Sequence, residues 1–251
     1  MKVVLHNDFL QTYTNDPAAA PGRLEPIFEA VRREGFDTEE ALPAGYDDIL
    51  RVHTERHIQS VTRQGLYNIA ALAAGGAIQA AEIGLEEPCF AVIRPPGHHA
   101  SADSSWGFCF FNNMAVALEY LRAEGKIKSA YVLDFDLHFG DGTVNILQPK
   151  GYVTIFNPDA STRKQYLESV EKSLSGVEVD IIGISAGFDN HVQDWGGLLE
   201  TEDYHSIGLM VHKRCQEVGC GCFAVLEGGY NHSVLAQNVV AFIKGLNGRE
   251  F

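Results

Sequence analysis

The stretch "YVLDFDLHFGDG", residues 131–142, closes an apolar run with Asp134, Asp136 and His138 at two-residue spacing, and Asp141 follows just beyond. Side chains alternate between the faces of a strand, so these three would point the same way if the extended conformation persists to His138. Carboxylates that close repel unless positive charge sits between or beside them. A divalent cation meets that need, and one histidine with two carboxylates and an open position suits catalytic zinc or iron(II). Asp136 and His138 offer two ligands, and Asp189 in "SAGFDNH", at the end of another apolar run, is the natural third.

Two further motifs carry chemistry. "RPPGHHA" (94–100) must present His98 and His99 from a loop shaped by Pro95, Pro96 and Gly97, because adjacent residues cannot share a strand face. Such a pair suits acid/base work if each imidazole is oriented by a carboxylate, and Asp134 and Asp141 are available for that. Tyr230 in "EGGYN" follows two glycines, and its phenol hydroxyl could stabilise an oxyanion opposite the metal. A metal to activate water, a histidine base and a phenol donor make a hydrolase acting on a carbonyl. Cys109 in "GFCFFNN" has no thiolate-stabilising neighbour and reads as packing.

These motifs need a scaffold that brings them together. Short apolar runs at 2–6, 89–94, 130–136, 152–156, 180–186 and 222–228 read as strands covered on both faces. Helical patterns lie between them at 22–34, 54–82 in two pieces broken near Gly65, 111–124, 163–174, 202–218 and 233–246. The alternation predicts an α/β fold with an open, mostly parallel sheet, in which ligands bind beyond the carboxyl ends of the strands. All four polar motifs follow strands and would converge on one cleft.

A net charge of −14 without any basic block argues against nucleic acid as a partner and favours a cationic substrate in the long-range field. Five cysteines, without paired CxxC spacing, read as reduced structural thiols. The Ala-rich stretch 66–84 is interrupted by Asn68, Gln79 and Glu82 and reads as a buried helix, not a membrane span. The opening "MKVVLHNDF" is too short an apolar run for a signal peptide, so a cytoplasmic location is expected. With no repeat, low-complexity stretch or long linker, one domain spanning 1–251 is expected.

Taken in order, "RPPGHHA", "GFCFFNN", "VLDFDLHFGDG", "SAGFDNH" and "LEGGYN" resemble the histone deacetylase superfamily, including its acetylpolyamine amidohydrolase-like members, from about Pro21 to Asn231. The resemblance implies a three-layer arginase/deacetylase-like fold and a catalytic Zn2+ or Fe2+ held by Asp136, His138 and Asp189. It implies that Tyr230 polarises the carbonyl, that His98 pairs with Asp134 and His99 with Asp141, and that His99 is the main general base and acid. It further implies that Gly107 and Phe108 belong to an acyl-lysine channel, that Arg23 lines the pocket beneath the metal, and that K+ is a structural ion near Asp134, Asp136 and His138. The substrate would be a small-molecule or peptide acyl-amine.

The departures concern the rim. "NDPAAAPGRLE" replaces a His-Pro-Glu run, and "VTRQGLYN" lacks an acidic residue used near the rim to hold the substrate backbone. "YVTIFNPDASTRKQYLES" lacks the Gly-rich aromatic loop that supplies a second wall opposite Phe108, so the channel is expected to be shallow or open on one side, unless a partner subunit in an oligomer completes it. Two alternatives stand beside the deacylase. An arginase-like binuclear manganese enzyme would need more carboxylates than Asp189-Asn190-His191 offers, and a non-catalytic binding module would be expected to have lost the base or the tyrosine.

Overall fold

The computed structural model describes all 251 residues. Its centre is a seven-stranded sheet of β1 (Lys2–Leu5), β2 (Asp37–Glu40), β3 (Cys89–Ala91), β4 (Ala130–Asp134), β5 (Val153–Phe156), β6 (Ile181–Ala186) and β7 (Gly221–Leu226), in the order β2-β1-β3-β7-β6-β4-β5. Every pairing is parallel. The helices are α1 (Glu25–Arg33), α2 (Tyr46–Leu50), α3 (Glu55–Arg63), α4 (Tyr67–Gly84), α5 (Asn113–Ala123), α6 (Asp141–Leu147), α7 (Arg163–Leu174), α8 (Thr201–Val218) and α9 (His232–Leu246). Helices α1, α7, α8 and α9 pack together on one side and α4, α5 and α6 on the other, giving three layers.

Burial explains why the strands read as continuous apolar runs. Every residue of β3, β4 and β6 is buried, and a single cluster of 61 apolar residues fills both sides of the sheet. Helix α4 is buried along most of its length, and its alanines and glycines let it lie close to β3 and β7. No helix is long and apolar enough to cross a membrane.

Strand β2 escapes the sequence pattern. Its residues, Asp-Thr-Glu-Glu, are poor strand formers, but they occupy a solvent-facing edge paired only to β1, with Glu39 bound to Lys2 at 2.7 Å. Acidic side chains on an edge strand discourage further pairing.

The topology decides where the chemistry goes. Strands β3, β7, β6 and β4 are neighbours in space, and the register sets Ala91 beside Val225, Val225 beside Ser185, and Ser185 beside Asp134. All four therefore end at one level, and the loops after them meet.

The shared strand face expected for Asp134, Asp136 and His138 does not form. Strand β4 stops at Asp134, and the chain turns over residues 135–140. Short-range bonds from backbone to carboxylate drive the turn: Asp136 N–H donates to Asp134 Oδ1 at 3.3 Å and His138 N–H to Asp136 Oδ1 at 2.9 Å. Asp is suited to this because its side chain competes for backbone N–H groups two residues on.

Candidate active site

The turn after β4 and the loop after β6 bring Asp136, His138 and Asp189 together, with one potential ligand atom from each lying within 4.8 Å of the others. His138 Nδ1 is 3.3 Å from Asp136 Oδ1 and 3.1 Å from Asp189 Oδ2. Both carboxylates are buried, and Asp189 Oδ2 accepts no hydrogen bond. Burial and the Asp136 charge push the Asp189 carboxyl up to about 6, while contacts with Asp136 and Asp189 push His138 up to about 10. A site that raises its own imidazole this far calls for positive charge at its centre, and the donor set fits a divalent cation. The backbone after β7 closes the floor: Gly228 N–H donates to Asp136 Oδ2 at 2.8 Å. A Cβ at Gly228 would sit 2.6 Å from that oxygen and 2.7 Å from Asp189 Oδ2, so only glycine fits there.

The loop after β3 delivers the two histidines, each onto its own aspartate. His98 Nδ1 lies 3.1 Å from Asp134 Oδ2, and its Nε2 lies 3.7 Å from Asp136 Oδ1. Burial opposes a charge on His98, but the carboxylates of Asp136 and Asp134 outweigh it and hold its pKa well above the ordinary value. His99 Nδ1 lies 2.7 Å from Asp141 Oδ1. Burial and the charge of His98 push His99 down to about 4, so it is neutral in ordinary buffers. With Nδ1–H donated to Asp141, its Nε2 is free to accept a proton.

A buried glutamate fixes the histidine loop. Glu227, at the end of β7, accepts from the N–H groups of Gly97 at 2.7 Å and His98 at 3.2 Å and from the Ser185 hydroxyl at 3.3 Å. Burial pushes its carboxyl up to about 7. The far side of the loop rests on His53, whose Nε2 accepts from Asn112 N–H at 2.9 Å and whose Nδ1–H donates to the Ser101 carbonyl at 3.0 Å. Those bonds use both ring nitrogens in the neutral form.

Tyr230 is gripped from four directions. The Phe108 ring meets its edge at 5.8 Å, the Trp195 ring stacks on it at 4.1 Å, and the Arg23 guanidinium lies 5.4 Å from its centroid. Asp194 Oδ2 accepts from the N–H groups of both Tyr230 and Asn231, each at 2.8 Å. Arg23 is itself buried and donates to the Gly229 carbonyl at 2.9 Å and the Glu227 carbonyl at 2.6 Å. Burial, aided by Asp136, pushes the phenol above its ordinary range, so the hydroxyl remains a donor.

The loops after β3 and β4 thus set His98 Nε2 3.7 Å from Asp136 Oδ1 and the His99 ring 6.0 Å from that of His138, and Phe108 and Arg23 lie against Tyr230 after β7. A histone deacetylase domain model matches residues 18–166 and 154–246. A probable deacetylase of Methanothermobacter thermautotrophicus is 33% identical over 92% of this chain and 86% of its own length. The chain belongs to the histone deacetylase family. A histone deacetylase-like amidohydrolase of Pseudomonas aeruginosa is 27% identical over 83% of the chain and 70% of its own. The crystal structure of the HDA15 HD domain superposes with a TM-score of 0.85 over 98% of this chain and 89% of that one, at 24% identity. The fold is therefore the arginase/deacetylase-like α/β fold of the histone deacetylase family, whose members are in general metal-dependent.

Aromatic residues outside the sequence motifs also stand beside the site. The connection from β5 to α7 carries no aromatic wall, and its Asn157 instead accepts from Gly140 N–H at 2.9 Å. The rim is nonetheless aromatic: Trp106, Phe139 and Trp195 are each more than half exposed. The chain has two tryptophans in all; Trp195 stacks on Tyr230, and Trp106 stacks on His99 at 3.8 Å. Each follows or precedes a polar loop motif without periodicity, so nothing in its spacing marked it. The rim position without an acid carries Arg63 and Gln64, which line an open cleft beside Trp106 and Phe108. His191 does not join Asp136, His138 and Asp189: its Nδ1 accepts from Gln193 N–H at 3.2 Å.

Proposed function

We propose that this chain is a metal-dependent deacylase that hydrolyses an N-acyl amide of a lysine- or polyamine-like amine. The observation that carries the reading is the meeting, at four adjacent strand ends, of the Asp136–His138–Asp189 triad with a neutral His99 backed by Asp141 and with a protonated Tyr230. The triad would hold Zn2+ or Fe2+, which when bound supplies Lewis acidity to the amide carbonyl and lowers the pKa of water.

The remaining work falls to side chains of this chain. His99 Nε2 takes the proton of the attacking water as its oxygen bonds to the carbonyl carbon. It then gives that proton to the departing nitrogen as the C–N bond breaks, leaving a carboxylic acid and an amine, and the acid's remaining proton passes through solvent to the amine to give carboxylate and ammonium. Asp141 holds His99 in the tautomer that presents Nε2 and stabilises its charge between the two transfers. Tyr230 donates its hydroxyl to the oxygen that gains charge, and the clamp of Arg23, Asp194 and Trp195 spares the enzyme from ordering it during the reaction. Phe108 and Gly107 flank this point and would form part of the channel, with Arg23 beneath.

The test is hydrolysis of acetyl-lysine peptides, acetylpolyamines and longer acyl-lysines by protein loaded with zinc, iron(II) or cobalt. Turnover of at least one class is expected. Absence of turnover with every metal and substrate would sink the deacylase reading.

A further inference from the structure

The His99–Asp141 pair has a third member. Asp141 spends Oδ1 on His99, and its Oδ2 accepts from the Trp106 indole N–H at 3.0 Å. The same indole lies face to face with the His99 imidazole, 3.8 Å between centroids and 29° between planes. One side chain therefore touches both halves of the pair, bonding the carboxylate and covering the ring.

The backbone shows that this placement is built. Gly107 and Phe108 have φ of 58° and 68°, and Phe108 is the one non-glycine residue of the chain with positive φ. A side chain in that region costs free energy that surrounding structure must offset. Two successive left-handed residues fold the loop back so that Trp106 lands on His99, and Gly107 passes so close that a Cβ there would strike the imidazole ring. The Asp141 side chain is 35% exposed. Without a second partner, water would compete for Oδ2 and the carboxylate could rotate away from His99.

We propose that Trp106 is a positioning residue that acts through Asp141 to hold the His99 imidazole in its working tautomer and orientation. The proposal rests on the deacylase reading for its kinetic consequence, and on the loop geometry alone for its structural one.

Trp106→Phe keeps an aromatic ring over His99 and removes the N–H, and Asp141→Ala removes both acceptor oxygens. Trp106→Phe is expected to lower kcat about tenfold, the weight of one hydrogen bond to a charged group, with KM within about twofold of wild type. In the Asp141→Ala background the same substitution should cost less than about twofold, because its route of action is already gone. In the NMR spectrum, the His99 Nδ1–H proton should resonate downfield of the amides in wild type and broaden or vanish in Trp106→Phe. A raised KM with unchanged kcat would make Trp106 a substrate wall and overturn the proposal. So would a loss that is the same in both backgrounds, or a His99 proton signal unchanged in Trp106→Phe. If wild type cleaves no acyl amide, the deacylase reading fails on its own, and the NMR comparison still decides the role of Trp106.

Discussion

Replacing Tyr230 by phenylalanine removes one oxygen atom and leaves its anchorage intact. The contacts with Phe108, Trp195 and Arg23 are made by the ring, and Asp194 bonds the backbone, so all survive the change. The candidate metal ligands Asp136, His138 and Asp189 lie on other loops. Thermal stability and metal content should therefore match wild type. Removing one preorganised donor to an oxyanion costs about 10²–10³ in kcat, or about 2.7–4 kcal/mol of transition-state stabilisation. Steady-state kinetics on the best acyl-amide substrate, with metal analysis and a melting curve on the same sample, would check all three expectations. Turnover within threefold of wild type would refute the assignment of the oxyanion donor. Loss of metal or a collapse of Tm would show that the phenol instead holds the site together.

Because Asp136 and Asp189 push His138 up to about 10, a cation must displace its proton, so apparent affinity should rise about tenfold per pH unit between pH 7 and 9. Quenching of Trp195 fluorescence by Co2+ would report it, since that ring stands edge-on to His138 at 6.1 Å, and a pH-independent affinity would contradict the ligand assignment. Gly107→Ala would drive a methyl into His99 and add side-chain strain at φ 58°; kcat should fall at least a hundredfold while metal content is kept, and near-normal kcat would argue that His99 is not the base. Burial, with the nearby His57, holds His53 down to about 3 from an ordinary 6.5. The unfolded chain binds that proton where the folded one does not, so this contribution is complete above pH 6.5 and is lost at about 1.4 kcal/mol per pH unit as pH falls toward 3. Urea denaturation should show that slope and a shallower one in His53→Gln; identical slopes would place the acid sensitivity elsewhere. Glu227→Ala would leave the Gly97 and His98 N–H groups buried without an acceptor and should cost at least about 2 kcal/mol in the same assay, with a loss under 0.5 kcal/mol as the contrary result.

The strands and the site were legible in the sequence for one reason: buried parallel strands leave unbroken apolar runs, and polar residues at their carboxyl ends then stand out. Six of the seven strands and the break at Gly65 were visible in this way. The acidic edge strand β2 was not, because its pairing to β1 overrides a poor local preference. Helix α6 leaves no apolar pattern of its own in the sequence, because it begins at Asp141, inside the motif itself, and runs only to Leu147. The spacing of Asp134, Asp136 and His138 suggests a strand face, yet the chain turns after Asp134, and it is this turn that gathers Asp136 and His138 with Asp189. Trp106, Trp195, Asp194 and Glu227 lay hidden because their roles are long-range. The Glu227 bonds to Gly97 and His98 span about 130 residues, a distance no local pattern encodes.

The central proposal is that one cation at the Asp136–His138–Asp189 triad drives amide hydrolysis. Its most direct test is a titration of metal-free protein with zinc, iron(II) or cobalt while acyl-amide cleavage is followed, run in parallel on Asp189→Asn. Activity should rise to a plateau at one equivalent per chain and be absent from the variant at the same loading. Hydrolysis that persists without metal or in Asp189→Asn, or that needs two equivalents, would contradict it.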